Sequence, residues 1–139
     1  MIAGVGIDLL ELERCAPFLA RHRDLSRVLG PRELERIGSG GPPAREAGRL
    51  RAFASCFCAK EAFAKALGTG VHGFALYEVE LTHGPLGRPC LAFSGRALAL
   101  CRARDLCFQI SITHTERTAA AFVIAEGPPA GAAASSAEI

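Results

Sequence analysis

The longest regular pattern of apolar positions lies near the middle of the chain. Apolar side chains recur there at helical spacing, at Leu50, Phe53, Phe57, Ala64 and Leu67. This spacing predicts a helix from about residue 45 to residue 67, with the apolar stripe facing a core. Gly68 and Gly70 follow the last periodic residue, where helices commonly end on a residue in the left-handed conformation.

A lysine interrupts the apolar stripe of this central helix. At about 100° per residue, Lys60 points into the middle of the stripe, whereas Glu61 and Lys65 lie along its rim. A lysine in an apolar face requires an anionic partner unless it reaches the surface, and the sequence leaves open whether that partner is a protein carboxylate or a phosphate. Glu61 and Lys65, taken alone, are typical of an ordinary helix ion pair.

Alternating patterns predict five strands around this helix. They cover residues 2–10, 77–81, 89–93, 107–114 and 118–125. In the second of these strands Glu78 and Glu80 alternate with apolar residues, so we expect both carboxylates on an exposed face. The fold class that follows is α+β, with the long helix packed on an antiparallel sheet.

Turn and capping residues mark the remaining elements and the ends of the domain. Shorter helices are predicted from Glu11, from Pro31, and from Ser94 to about Arg104. The residues at 38–43, rich in glycine and proline, are predicted to form a mobile loop. Residues 127–139 have nothing to bury, which predicts a domain over residues 1–126 followed by a disordered tail.

Composition narrows the class of protein. With 139 residues, 50% of them hydrophobic, the chain is long enough for one domain with a modest core. A net charge of +2 and the absence of tryptophan give no support to a nucleic-acid partner. No apolar run is long enough to span a membrane and the N-terminus lacks a basic leader, so we expect a cytoplasmic protein without a membrane partner. The six cysteines form no C-x-x-C pair and are expected to be reduced.

Two carboxylates are candidates for binding a metal ion. Asp8 lies near the C-terminal end of the first predicted strand, and Glu61 lies on the central helix. Mg²⁺ is commonly held by one or two carboxylates together with phosphate and water, and Lys60 and Lys65 would neutralise charge on that phosphate. This set is typical of phosphoryl transfer. His114, after an alternating strand, is either a ligand contact or an ordinary turn residue.

The first predicted helix carries a face of mixed character. Arg14, Phe18 and Arg21 occupy positions i, i+4 and i+7 and therefore share one side of it. This order of basic, apolar and basic side chains fits either a solvated surface helix or a docking face for an acidic helical partner.

Four sequence blocks, in order along the chain, resemble the signatures of a known family. They are Gly4–Arg14, Phe57–Gly70, Gly87-Arg88-Pro89 with Ser94-Gly95, and Ser111-Ile112-Thr113-His114-Thr115. The second is similar to F-A-A-K-E-A-x-x-K-A-L-G-T-G and the last to S-I-S-H-T. The chain thus resembles the holo-acyl-carrier-protein synthases, the small 4′-phosphopantetheinyl transferases.

The resemblance implies a reaction and a catalytic set. Asp8 and Glu61 would bind Mg²⁺ together with the diphosphate of coenzyme A. A serine hydroxyl of an apo acyl carrier protein would attack the β-phosphorus, so that the phosphopantetheine arm is transferred and adenosine 3′,5′-bisphosphate leaves. Glu61, directly or through water, would be the base for the serine, and Lys65 would stabilise charge on the leaving side.

The same resemblance implies binding residues and an assembly. The residues expected at coenzyme A, besides Lys65, are Lys60, Gly68, Thr69, Gly70, His114 and Thr115. Arg14, Phe18 and Arg21 would form the docking helix for the acidic carrier protein. The family's short members resemble trimers with the site in a cleft between subunits, which implies a homotrimer.

Besides the mild changes at Cys58 and Thr113, two neighbouring positions depart from the family pattern. The family usually has Gly-Arg before the phenylalanine of the second signature, where this chain has Ser55 and Cys56. That arginine is expected near the phosphates of coenzyme A, so Arg45, Arg49 or Arg51 would have to replace it. One alternative is therefore a non-catalytic relative that binds coenzyme A or a carrier protein without transfer.

Two other classes are less well supported. Gly6-Ile7-Asp8-Leu9 also resembles the phosphate loop of actin-like sugar kinases, but those enzymes need two domains and a longer chain. Gly4-Val5-Gly6 begins like a dinucleotide-binding fingerprint, but the third glycine is missing and Asp8 falls where phosphate would sit.

Overall fold

The computed structural model describes residues 1–38 and 43–128 and has the predicted α+β fold. Its strands are β1 (Ile2–Glu11), β2 (Val79–His83), β3 (Pro89–Phe93), β4 (Cys107–His114) and β5 (Thr118–Glu126). Its helices are α1 (Leu12–Arg21), α2 (Pro31–Ile37), α3 (Pro43–Leu67) and α4 (Gly95–Ala103). Most of the predicted loop at 38–43 and of the predicted tail at 127–139 lies outside the described residues. Among the helices of the described part, none is long and apolar enough to cross a membrane.

The strands form two antiparallel sheets rather than one. β1, β5 and β4 pair in that order, whereas β2 and β3 form a separate two-stranded sheet. α3, which is 25 residues long, packs across β1 and β5 of the larger sheet. The residues of β5 beneath it are compact and buried, namely Ala119, Ala121, Val123 and Ala125.

Two glycines allow β1 to lie directly against α3. A Cβ atom at Gly6 would stand 1.9 Å from the carbonyl oxygen of Ala62, and one at Gly4 would stand 2.0 Å from that of Ala66. No side chain fits at these distances, because they are far below van der Waals contact. Asp8, two residues further along the same face of the strand, is therefore held close to the helix.

An aromatic cluster fixes the second half of α3. The ring of Phe63 has its centroid 5.3 Å from Phe74, 5.1 Å from Phe93 and 5.0 Å from Phe108, in edge or tilted arrangements. These rings belong to β3, to β4 and to the segment after α3. The helix is thus fixed by small residues on one side and by large rings on the other.

The prediction of exposed carboxylates over residues 77–81 is wrong. Glu78 and Glu80 are only 8% and 7% exposed, and β2 begins two residues later than predicted. Glu78 accepts the N–H of Ala97 at the start of α4 (3.3 Å), and Glu80 accepts the N–H of Arg32 in the first turn of α2 (2.8 Å). The first N–H groups of a helix have no partner within the helix, so a carboxylate is stabilised there even when it is buried.

The outer face of the larger sheet, opposite α3, is apolar and exposed. Val5, Ile7 and Leu9 of β1 are 55%, 63% and 69% exposed. Phe122, which pairs with Ile7 across the strands, is 41% exposed. A contiguous apolar patch of this kind commonly marks a protein–protein interface. We refer to Val5, Ile7, Leu9 and Phe122 as the outer sheet face.

Candidate functional site

Three of the predicted site residues, Asp8, Glu61 and Lys65, meet where β1 passes over α3. Nζ of Lys65 lies 3.3 Å from Oδ1 of Asp8 and donates a hydrogen bond to the carbonyl of Ile7 at 2.9 Å. The side chain of Asp8 is 18% exposed and that of Lys65 is 54% exposed, so the group opens to the surface. We call these three residues the carboxylate cluster.

The electrostatics of the carboxylate cluster suit a cation. Burial raises the pKa of the Glu61 carboxyl above its ordinary value, the charge of Asp8 raises it further, and Lys65 acts in the opposite direction. Two carboxylates beside one lysine leave a net negative charge. Within the described ranges no group of three or more His, Cys, Asp or Glu side chains is placed to hold a metal ion. The protein therefore offers two hard oxygen ligands, which fits Mg²⁺ if phosphate and water supply the others.

A neutral thiol borders the carboxylate cluster. Burial and then the neighbouring Asp8 raise the pKa of Cys58 to about 12, so the thiol remains protonated at neutral pH. Its Sγ lies 3.5 Å from the carbonyl oxygen of Ala119, to which it donates. Four of the six cysteines, namely Cys15, Cys56, Cys58 and Cys101, are buried, and all six are free thiols. Cys58 is a packing residue beside the cluster.

The structure contradicts the expectation that Lys60 contacts coenzyme A. Lys60 has no exposed surface, and its Nζ lies 2.6 Å from Oε1 of Glu33. The same ammonium donates to the carbonyl of Val79, and Glu33 also accepts the N–H groups of Gly30 (3.0 Å) and Leu81 (3.1 Å). The anionic partner left open by the sequence is thus a protein carboxylate.

The two glycines that follow α3 have the predicted left-handed conformation. Gly68 and Gly70 have φ angles of +84° and +63°, which favour glycine. Arg104 donates to the carbonyl of Leu67 at 2.7 Å and so satisfies one of the free carbonyls at the helix end. Thr69 is exposed between the two glycines. The segment lies three residues beyond Lys65 and presents its backbone to solvent.

His114 faces a different part of the molecule. It lines a cavity of about 440 Å³ together with Arg36, Arg51 and His83, and the other lining residues are small or apolar. We call this the cationic cavity. No member of the carboxylate cluster lines it, so one chain does not bring His114 to Asp8 and Glu61. Thr115, next along the chain, is exposed at the β4–β5 turn, where its Oγ1 lies 2.7 Å from Oγ1 of Thr118.

Arg36 is a site candidate that the sequence did not single out. Its guanidinium donates to Sγ of Cys56 at 3.1 Å, from α2, twenty positions earlier in the chain. Only the tertiary packing of α2 on α3 reveals this contact. No local pattern around Arg36 distinguishes it from the other exposed arginines.

The predicted docking residues on α1 do not share one environment. Arg14 and Arg21 are exposed, as a docking face requires. Phe18 is only half-buried but turns towards the core, and its ring stacks on His22 (4.2 Å between centroids) and Phe53 (5.5 Å). The expectation that Phe18 lies on the docking face is corrected, because this ring fastens α1 to α3.

Comparison with known proteins identifies a superfamily and a family with this fold. The profile of the 4′-phosphopantetheinyl transferase superfamily matches residues 4–123. The holo-[acyl-carrier-protein] synthase of Treponema denticola is 40% identical over 91% of this chain and 100% of its own length. That of Solidesulfovibrio magneticus is 42% identical over 91% of this chain and 100% of its own length.

Solved structures of the same class are also similar. The holo-[acyl-carrier-protein] synthase of Neisseria meningitidis superposes with a TM-score of 0.79 at 31% identity, over 91% of this chain and 99% of the other. The Bacillus anthracis enzyme, in complex with coenzyme A (3′,5′-ADP), gives a TM-score of 0.74 at 29% identity, over 92% and 99%. Fold and profile together define an enzyme of the 4′-phosphopantetheinyl transferase superfamily. Within it, the chain belongs to the family of holo-acyl-carrier-protein synthases.

Proposed function

We propose that this protein transfers the 4′-phosphopantetheine arm of coenzyme A to a serine of an apo acyl carrier protein and releases adenosine 3′,5′-bisphosphate. The observation that carries the proposal is the carboxylate cluster, in which Asp8, Glu61 and Lys65 converge in a partly buried position at the surface. The relatives that cover nearly the whole chain carry the name of this activity.

Asp8 and Glu61 are the proposed ligands of Mg²⁺. Their carboxylate oxygens are the hard ligands that Mg²⁺ prefers, and their negative charges repel each other when no cation is bound. Two carboxylates leave other coordination positions of the ion open to phosphate and water. When bound, the ion would supply charge neutralisation on the diphosphate of coenzyme A. Lys65, already 3.3 Å from Asp8, is placed to stabilise the negative charge of the departing bisphosphate.

Glu61 is also the proposed base. Its raised pKa makes it a better proton acceptor than an exposed glutamate. In the transfer, the serine oxygen forms a bond to the β-phosphorus and the bond from that phosphorus to the leaving adenosine bisphosphate breaks. The serine proton passes to Glu61, directly or through water.

Further contacts with coenzyme A are proposed for residues at two places. Gly68, Thr69 and Gly70 follow Lys65 at the end of α3, where the left-handed glycines leave the chain without bulky side chains and so let a ligand approach. His114 and Thr115 lie at the end of β4, away from the carboxylate cluster in the same chain. A homotrimer that packs on the outer sheet face would allow a neighbouring subunit to complete the site. Arg14 and Arg21, both exposed on α1, are the proposed contacts for the acidic carrier protein.

The test is the intact mass of an apo acyl carrier protein after incubation with this protein, coenzyme A and Mg²⁺. We expect a gain equal to the phosphopantetheine arm, and no gain when EDTA is added or when Asp8→Asn replaces the native protein. Absence of a gain over several carrier proteins, with coenzyme A binding intact, would instead establish a non-catalytic relative.

A further inference from the structure

The carboxylate of Glu33, on α2, lies at a junction of three elements and has no exposed surface. Its Oε1 accepts the ammonium of Lys60 on α3 at 2.6 Å and the N–H of Gly30, just before α2, at 3.0 Å. Its Oε2 accepts the N–H of Leu81 on β2 at 3.1 Å. A buried carboxylate is tolerated when a cation and hydrogen-bond donors surround it in this way. One side chain thus joins α2, α3 and β2.

The ammonium of Lys60 is fixed at the same junction. Lys60 has no exposed surface, and its Nζ donates to Glu33 and to the carbonyl of Val79 at the start of β2. Charge-assisted hydrogen bonds are short and directional, and a buried charge that leaves its partner is strongly penalised. The side of α3 that carries Lys60 is therefore held against α2 and β2 in one orientation.

Cys56, one turn before Lys60 on α3, makes a second contact with the same carboxylate. Burial and then the negative charge of Glu33 raise the pKa of the Cys56 thiol, so it stays protonated and donates to Glu33. Its Sγ also accepts the guanidinium of Arg36 from α2 at 3.1 Å. The family usually has an arginine at this position, and in this chain the smaller, neutral thiol completes the junction between α2 and α3.

The orientation of Lys60 determines that of Glu61, because consecutive side chains leave a helix about 100° apart. With Lys60 fixed to α2 and β2, Glu61 is turned to β1, where it meets the charge of Asp8. The contact of α3 with β1 itself is made through glycines and alanines, and apolar packing is non-directional. The hydrogen bonds of Lys60 are thus the directional contact next to Glu61.

We infer that Glu33 is a positioning residue for the transfer reaction, since through Lys60 it fixes the rotation of α3 that brings Glu61 to Asp8, an inference that rests on the proposed function. Glu33 itself is buried and touches no substrate. A merely structural carboxylate would change stability alone. A positioning carboxylate also sets kcat, because a misplacement of about 1 Å at a reacting group lowers the rate by about 10²-fold.

The experiment measures kcat and the melting temperature of the full chain carrying Glu33→Gln, alone and together with Lys60→Met. Glu33→Gln alone leaves the charge of Lys60 uncompensated and should lower the melting temperature by about 10 °C. The double variant has no unpaired charge at the junction, and its amide can still donate to the carbonyl of Val79, so most of this loss should be recovered. Its kcat should nevertheless stay about 10- to 100-fold below the native value, with the KM for the carrier protein unchanged.

Glu80→Gln is the matched control. Glu80 is 7% exposed and accepts the N–H groups of Arg32 and Glu33, both of which lie on α2 itself. This variant should lower the melting temperature and leave kcat near its native value. A double variant whose kcat recovers together with its stability would overturn the inference. So would a loss of kcat in Glu80→Gln as large as that in the double variant.

Two further measurements keep the test decisive. In a crystal structure of the double variant, the carboxylates of Asp8 and Glu61 should lie about 1 Å further apart than in one of the native protein, and an unchanged distance would overturn the inference. If the double variant does not fold, Cys56→Ala, which removes the thiol donor, should have a several-fold lower kcat than Cys56→Ser, which keeps a donor, and equal values would overturn it. Failure of the proposed function is a separate result, namely the expected displacement of Glu61 without transfer by the native protein.

Discussion

At the scale of single residues, Lys60 and Glu61 have opposite surroundings although they are neighbours in sequence. Lys60 is fully buried and paired with Glu33, whereas Glu61 is partly exposed beside Asp8. Removing one partner of a buried ion pair costs about 3–5 kcal/mol, because the other charge is left uncompensated. The Lys60–Glu33 pair therefore resists any rotation of α3 and, through the helix, holds Glu61 facing β1. Lys60 acts as a positioning residue.

Glu61→Gln should make the folded protein more stable while it lowers the transfer activity. The folded-state pKa of Glu61 is raised, so its ionised form destabilises the folded protein at pH values above that pKa. In EDTA at neutral pH, the melting temperature of Glu61→Gln should exceed that of the native protein. The difference should shrink as the pH falls towards the ordinary value of 4.5, because the native carboxyl then also becomes neutral. Transfer activity should fall by at least about 100-fold.

The control for this prediction is Glu35→Gln, which removes an exposed carboxylate on α2. It should leave both the activity and the pH dependence of melting unchanged. A Glu61→Gln protein less stable than the native one at neutral pH would show that Lys65 outweighs burial and Asp8 at this position.

The sequence predicted individual site residues better than their partners. Asp8, Glu61 and Lys65 do come together, as their residue types and the family resemblance had led us to expect. The partner of Lys60 was not predictable, because Glu33 is brought to it only by the packing of α2 on α3. Glu78 and Glu80 were misassigned for the same reason. The alternating pattern predicts that both carboxylates are exposed. It cannot show that they accept backbone N–H groups from the first turns of α2 and α4, because those helices are remote in sequence.

At the scale of elements, the contact between β1 and α3 determines the geometry of the carboxylate cluster. Gly6→Ala should disturb it, because the new Cβ would meet the carbonyl oxygen of Ala62 at 1.9 Å and push the strand away from the helix. We expect a loss of about 1–3 kcal/mol in the free energy of unfolding. Chemical denaturation measures it, and the transfer rate should fall more steeply than the stability because Asp8 moves away from Glu61.

Gly84→Ala is the matched substitution. Its φ angle is −81° and its new Cβ would make only ordinary contacts, at 3.8 Å or more, so both stability and transfer should stay near native values. If Gly6→Ala retained native activity, the close approach of the two elements would have no part in placing the cluster.

α1 is the element proposed to meet the carrier protein. Arg14→Glu should raise the KM for an acidic carrier protein by about tenfold or more at low salt, because a like charge then faces the partner. The affinity for coenzyme A, measured by calorimetry, should not change. Arg102→Glu, on the exposed side of α4, makes the same charge change away from α1 and should leave both values unchanged. Equal losses for both substrates in Arg14→Glu would assign Arg14 to the coenzyme site.

At the scale of the whole molecule, the residues proposed to contact coenzyme A lie at two separate places on one chain, since His114 lines the cationic cavity and no member of the carboxylate cluster does. Arg51 and Glu61 are ten residues apart on α3, which is about 15 Å along the helix axis. In the proposed homotrimer, a neighbouring subunit would supply its cationic cavity to the first subunit's carboxylate cluster.

The outer sheet face is the surface on which such an assembly would depend, and charges placed there should dissociate it. Val5→Glu and Phe122→Glu each put a carboxylate in the apolar patch without touching the carboxylate cluster, since both side chains point away from α3. We expect light scattering to show a trimer for the native protein and a monomer for the double variant, with unchanged secondary structure.

The control for this prediction is Leu86→Glu, at a fully exposed leucine on the β2–β3 connection, which should remain trimeric. The monomer should lose transfer, because the carboxylate cluster and the cationic cavity proposed to complete it would then belong to separate molecules. A monomeric variant with native activity would refute the shared site, because one chain would then suffice for transfer.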